Sequence, residues 1–64
     1  MTLEEYRIKN DLDYGEIAEL AGIANNKSGE VAARRWCAGV FPRKYINNIT
    51  KNTKGKVTAN SFFH

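Results

Sequence analysis

The 64 residues suffice for one domain and leave no room for the deep two-layer cleft of a typical enzyme, because a chain this short buries only about 60% of its unfolded surface. The lone Cys37 excludes an internal disulfide and suits a reducing compartment, and no apolar run approaches membrane-spanning length, so a cytoplasmic protein without membrane contact is expected. The net charge of +3 conceals a split: residues 1–30 hold all seven acids and three bases, residues 31–64 hold seven bases and no acid, and such asymmetry suits a polyanionic partner.

Thr2 followed three residues on by Glu5 is a capping box, which predicts a first helix running to about Asn10. Asp13 with Glu16 is a second box. Leu12 before that cap and Ile17 at the fourth helical position add a hydrophobic staple, so a second helix spans about 14–21 with Gly22 as its left-handed stop. Next, Asn26 or Ser28 caps a third helix that ends near Ala38, with Gly39 as the stop. Pro42 suits the first turn of a fourth helix, where its missing N–H costs nothing. Tyr45, Ile46 and Ile49 then share an apolar face, and the helix ends near Lys54, before Gly55. "KVTANSFF" reads as a short strand or a last helical turn, and Thr58 as a cap favours the turn. The fold class is all-α, a compact domain of four or five helices. The predicted core is Leu3, Tyr6, Leu12, Ile17, Ala18, Ala21, Ile23, Ala33, Trp36, Val40, Ile46, Ile49, Val57 and Phe62.

The second and third helices have the composition of a helix-turn-helix over about 14–38. Ala18 permits close approach, Gly22 makes the turn, Ile23 plugs the gap, and Ala33 and Trp36 supply an apolar pair one turn apart. At "EIAELAGI", "ARRWCAGVFPRKYINNI" and "TKGKVTANSFF" the chain resembles the Cro-type helix-turn-helix DNA-binding proteins and repressors of lambdoid phages, over roughly 3–63. The resemblance implies a lambda-repressor-like domain covering residues 1–64. It implies a transcriptional repressor, encoded by a phage or prophage and acting in the bacterial cytoplasm, that binds palindromic operators in double-stranded DNA as a dimer. One departure stands out: the segment between Ile23 and Ala33 exceeds the family's turn by about five residues. "ANNKSGE" is therefore an enlarged turn or an N-terminal extension of the third helix.

In that frame the base-reading side chains lie at the start and outer face of the third helix. With Ala33 and Trp36 inward, Arg34 and Arg35 project outward, and an arginine fork matches guanine O6 and N7. One turn earlier, Glu30 can accept from cytosine and Val31 can touch a thymine methyl. Asn25, Asn26, Lys27 and Ser28 offer hydrogen bonds near the helix N-terminus, and Arg43 and Lys44, at the start of the fourth helix, are placed to grip backbone phosphates. Blander readings stand beside these. The arginines also make an ordinary solvated face, Glu30 suits the helix dipole, Trp36 fits the core, and Cys37 reads as a small buried apolar residue. With one histidine, the terminal His64, and one cysteine, neither a zinc site nor a nucleophile–base pair assembles, so no enzyme and no cofactor are expected. The expected assembly is a weak homodimer strengthened on DNA, joined through the fourth helix and "VTANSFF", where Phe62 and Phe63 cannot both face one small core. Two alternatives remain at this point: an excision-type or architectural factor that bends DNA, and a protein-binding adaptor or antitoxin.

Overall fold

Both predicted capping boxes form, and they set the first two helices. The Thr2 hydroxyl accepts from the Glu5 amide at 3.1 Å while Glu5 accepts from the Thr2 amide at 3.0 Å. Hydrogen bonding of the Glu5 carboxyl to Thr2, to its amide first and to its hydroxyl second, holds that carboxyl below its ordinary value. Asp13 and Glu16 repeat the arrangement at 2.8 and 3.2 Å. The computed structural model describes residues 1–40 and 42–61, and these form α1 (Leu3–Lys9), α2 (Tyr14–Leu20), α3 (Lys27–Cys37), α4 (Ile46–Asn52) and a 3-10 turn, Ala59–Ser61. There is no strand among the described residues, so "KVTANSFF" supplies a last helical turn as far as it is described.

All four helices close in the same way. The residue after each C-cap takes a left-handed backbone: Asp11 (φ 52°), Gly22 (φ 86°), Gly39 (φ 112°) and Lys54 (φ 56°). In each case its amide returns to the carbonyl three residues back, and the next amide reaches five residues back, as in Leu12 to Arg7 (2.9 Å), Ile23 to Ala18 (3.1 Å), Val40 to Arg35 (3.0 Å) and Gly55 to Thr50 (2.8 Å). This satisfies carbonyls that the helix itself leaves unpaired.

The predicted start of the fourth helix is corrected. Pro42 is buried and opens a tight turn, in which the Tyr45 amide donates to its carbonyl at 2.9 Å, and α4 begins at Ile46. Tyr45, at the end of that turn, has its ring against Trp36 with centroids 5.5 Å apart. Arg43 and Lys44 therefore lie in this turn and not in the first turn of α4.

The buried core is Leu3, Ile17, Ala18, Ala21, Ala33, Trp36, Ile49 and Val57, drawn from all four helices and the segment after α4. Tyr6, Leu12 and Ile23 are half-buried against it, and Ile46 is half-buried. Val40 is a second correction: it is 56% exposed, because its amide folds back to Arg35 and leaves the side chain outside. Phe62 lies outside the described residues. Thr53 joins the core without an apolar side chain. Its hydroxyl donates to the Ile49 carbonyl at 2.7 Å and accepts from the Val57 amide at 3.2 Å.

The principal packing is α2 on α3, with α1 touching α3 and α4 touching α2. Gly29 is the close-approach point. A Cβ there would stand 3.1 Å from the Ala18 Cβ and far inside contact with the Ala24 carbonyl oxygen. Two amides of α4 fasten the other side of α2: Asn48 donates to the Ala21 carbonyl at 2.9 Å and Asn52 to the Leu20 carbonyl at 2.7 Å. The radius of gyration is 10.1 Å, close to the value of about 11 Å for a compact chain of this length.

Candidate nucleic-acid interface

α3 is held from one side only. Gly29, Ala33 and Trp36, at successive turns, are buried, while Lys27, Ser28, Glu30, Val31, Arg34 and Arg35 are exposed. The helix is about 16 Å long at 1.5 Å per residue. The undecided segment divides: residues 24–26 belong to the connection and residues 27–30 form the first turn of α3. Asn26 is the cap, its Oδ1 accepting from the Gly29 amide at 2.9 Å. Ser28 is thereby left on the surface.

The candidate residues fall into four groups. Lys27, Ser28, Val31 and Arg35, with Ala32, line one open groove of about 450 Å³ along α3. Two cations and a hydroxyl stand around an apolar strip there, a mixture that meets both base edges and phosphate oxygens. Arg34 lies apart from this groove, its guanidinium over the Tyr14 ring at 5.5 Å. Arg43 and Lys44 are exposed in the turn before α4, and the Lys44 ammonium lies 5.7 Å from the Tyr45 ring, which links it to Trp36 and the end of α3. The fourth group is turned inward or to local work. Asn25 donates to Glu19 Oε1 at 2.9 Å and covers Gly15 on α2, and Asn26 spends its side-chain oxygen on the cap. Glu30 is exposed in the first turn of α3, where the helix dipole favours a carboxylate.

The acids are largely committed elsewhere. Glu5 and Glu16 serve the capping boxes, Glu4 pairs with Arg7, and Glu19 accepts from Asn25. Lys27, Arg34 and Arg35 make no ion pair among the described residues. The α3 surface therefore carries three cations free of ion pairs among the described residues, with Glu30 as the one carboxylate of the helix. Cys37 is half-buried, and burial pushes its thiol up to about 11, which keeps it protonated and unreactive near neutrality. No group of three metal-binding side chains occurs among the described residues, and no helix among them is long and apolar enough to cross a membrane.

Two features escaped sequence reasoning. Tyr14 sits directly after the Asp13 cap, and both Arg7 (4.8 Å) and Arg34 lie over its ring. The Asn48–Asn52 pair was marked only by its i, i+4 spacing beside Ile49, too common a pattern to signal a tether. No family model, curated protein or solved structure matches the chain.

Proposed function

We propose that the chain is a sequence-specific double-stranded DNA-binding protein of the helix-turn-helix kind, a transcriptional repressor of phage or prophage type. The observation that carries this is the division of α3: Gly29, Ala33 and Trp36 on the buried side, and an open groove lined by Lys27, Ser28, Val31 and Arg35 on the other. A helix held from behind, with cations free of ion pairs in front, fits a DNA major groove about 12 Å wide. Arg35 is the side chain suited to guanine, and Val31 to a thymine methyl. Lys27 and Ser28, at the start of α3, suit the phosphates flanking the bases, and Arg43 and Lys44 suit the neighbouring backbone. Glu30 disfavours the phosphates nearest it, and where it reaches a base edge its carboxylate suits the cytosine amino group.

A module of this size buries only about 600–1,000 Å² on DNA, which limits the affinity of one copy. Two copies on one palindromic operator share a linked binding event, so a weak homodimer tightens on DNA. Repression then follows by occlusion of the polymerase. The test is selection of bound duplexes from a random library, with sedimentation of the complex. Enriched sequences should show two-fold symmetry with half-site centres about 10 base pairs apart, and two protomers per duplex. No enrichment over random duplex would refute sequence-specific binding. Several phased sites with strong bending would transfer the protein to an architectural role.

A further inference from the structure

We infer that the adjacent arginines of α3 do different work: Arg34 is a fixed grip for a backbone phosphate, with Tyr14 as its positioning residue, and Arg35 is the base reader. This rests on the proposed DNA binding and assigns roles within it.

Neighbouring residues of a helix point about 100° apart, so two successive arginines face different surroundings. Arg35 stands in the groove with Lys27, Ser28 and Val31. Arg34 leans the other way, onto α2, where its guanidinium lies 5.5 Å from the centroid of the Tyr14 ring. That ring is itself half-buried and set by the first turn of α2. Arg7 lies over it too, at 4.8 Å, and cannot swing away, because Glu4 pairs with its Nε and the Leu12 carbonyl accepts from it at 3.3 Å. The carboxylate of Glu4 is taken by Arg7. Arg34 makes no ion pair among the described residues, although Glu30 lies one turn before it on α3.

A stacked guanidinium keeps its N–H edge open to an in-plane acceptor while losing much of its freedom to search. That suits an acceptor whose place does not vary with sequence. In helix-turn-helix docking the first helix of the pair crosses the DNA backbone and the second lies in the groove. Tyr14 opens that first helix, so an arginine resting on it is directed to the strand and not to the base edges. Phosphate contacts fix register, and base contacts carry sequence.

The experiment compares the unaltered chain with Arg34→Ala, Arg35→Ala, Tyr14→Leu and Tyr14→Phe on duplexes selected by the unaltered chain. Arg34→Ala should weaken every duplex alike and lower the steepness of log K against log salt by about 0.9, with the ranking of sequences kept. Arg35→Ala should flatten the preference at one base pair by about 5- to 150-fold. Tyr14→Leu should weaken all duplexes about threefold, a modest loss in keeping with an exposed cation–π contact, and Tyr14→Phe should restore binding because the ring remains. A DNA-free readout accompanies these: the Arg34 Hδ protons should be shifted upfield by the ring in the unaltered chain and in Tyr14→Phe, and return to ordinary values in a folded Tyr14→Leu. An Arg34→Ala chain with altered base preference overturns the inference, and so do Arg34 protons indifferent to Tyr14→Leu. If the unaltered chain selects no duplex at all, the DNA binding falls and the inference with it. If it selects duplexes and the two arginine variants behave alike, the inference alone falls.

Discussion

Replacing Gly29 by alanine would set a Cβ against the Ala24 carbonyl oxygen, far inside contact distance, and 3.1 Å from the Ala18 Cβ. The carbonyl belongs to backbone, in a connection braced by the Asn26 amide bonding to that same oxygen at 3.0 Å. Relief requires the first turn of α3 to move away from the connection that carries Ala24 by roughly 1 Å, the distance that restores ordinary contact. Overpacking of this kind costs about 1–3 kcal/mol, and backbone cannot rotate aside, which places this site at the upper end. Alanine returns up to about 1 kcal/mol through helix propensity. The net loss is about 2 kcal/mol, near half of the 3–5 kcal/mol that a core of this size supplies. The midpoint of thermal unfolding should fall by roughly 15 °C. Gly15→Ala is the matched control. Its Cβ also meets an oxygen, but that oxygen is the end of the exposed Asn25 side chain, which can turn away and surrender one exposed hydrogen bond to Glu19. The propensity gain offsets this, so the change should stay within about 0.5 kcal/mol. Circular dichroism melts and urea titrations of both variants measure the difference. A Gly29→Ala protein that melts with the unaltered chain, or above Gly15→Ala, would refute the close approach of Gly29 to the Ala24 carbonyl.

Asn48→Ala should cost about 1–2 kcal/mol in urea unfolding, since it strands the part-buried Ala21 carbonyl, and Asn52→Ala about 0.5 kcal/mol, since water reaches Leu20. DNA affinity should fall with salt at a slope of roughly −3 to −6 per protomer, and Lys44→Ala should make that slope shallower by about one without changing sequence preference; salt-independent affinity would contradict both. The Cys37 thiol should react with a disulfide reagent at pH 8 roughly tenfold more slowly than the same cysteine in unfolded chain, as its raised value leaves little thiolate. Because folding raises that value from 9.0 to about 11, its contribution to stability is whole below pH 9 and lost as pH rises through 11. The stability difference between the unaltered chain and Cys37→Ala should shrink over that window.

The starts of α1 and α2 were legible because capping is local: Thr2 with Glu5 and Asp13 with Glu16 satisfy one another within three residues. Helix ends were legible where glycine marked them, at Gly22 and Gly39. Asp11 and Lys54 adopt the same left-handed backbone without that mark, and the glycine beside Lys54 drew the predicted stop one residue too late. Asn26 and Ser28 were equivalent as caps by type, and the need to set Gly29 against Ala24 and Ala18 decides for Asn26. Pro42 is compatible with a helix start and with a tight turn, because both take the φ that its ring fixes, so the residue type alone does not choose between them. Within the candidate site, the outward face of α3 followed from Ala33 and Trp36 lying inward. The separation of Arg34 from Arg35 did not, because it depends on Tyr14, twenty residues away in sequence.

Leu3 and Val57 lie in one core, and Asn48 and Asn52 reach back 27 and 32 residues to finish α2. On a ribosome, α3 would leave the exit tunnel long before the segments that hold it steady. A nascent chain ending at Gly39 has every groove-lining side chain and lacks Ile49, Val57 and both tethering amides. Such a chain cannot close the core, and folding waits until about residue 57 is free, so the transition is all-or-none along the whole length. A message cut short after α3 would therefore yield a substrate for proteases and not a half-length chain presenting the α3 groove.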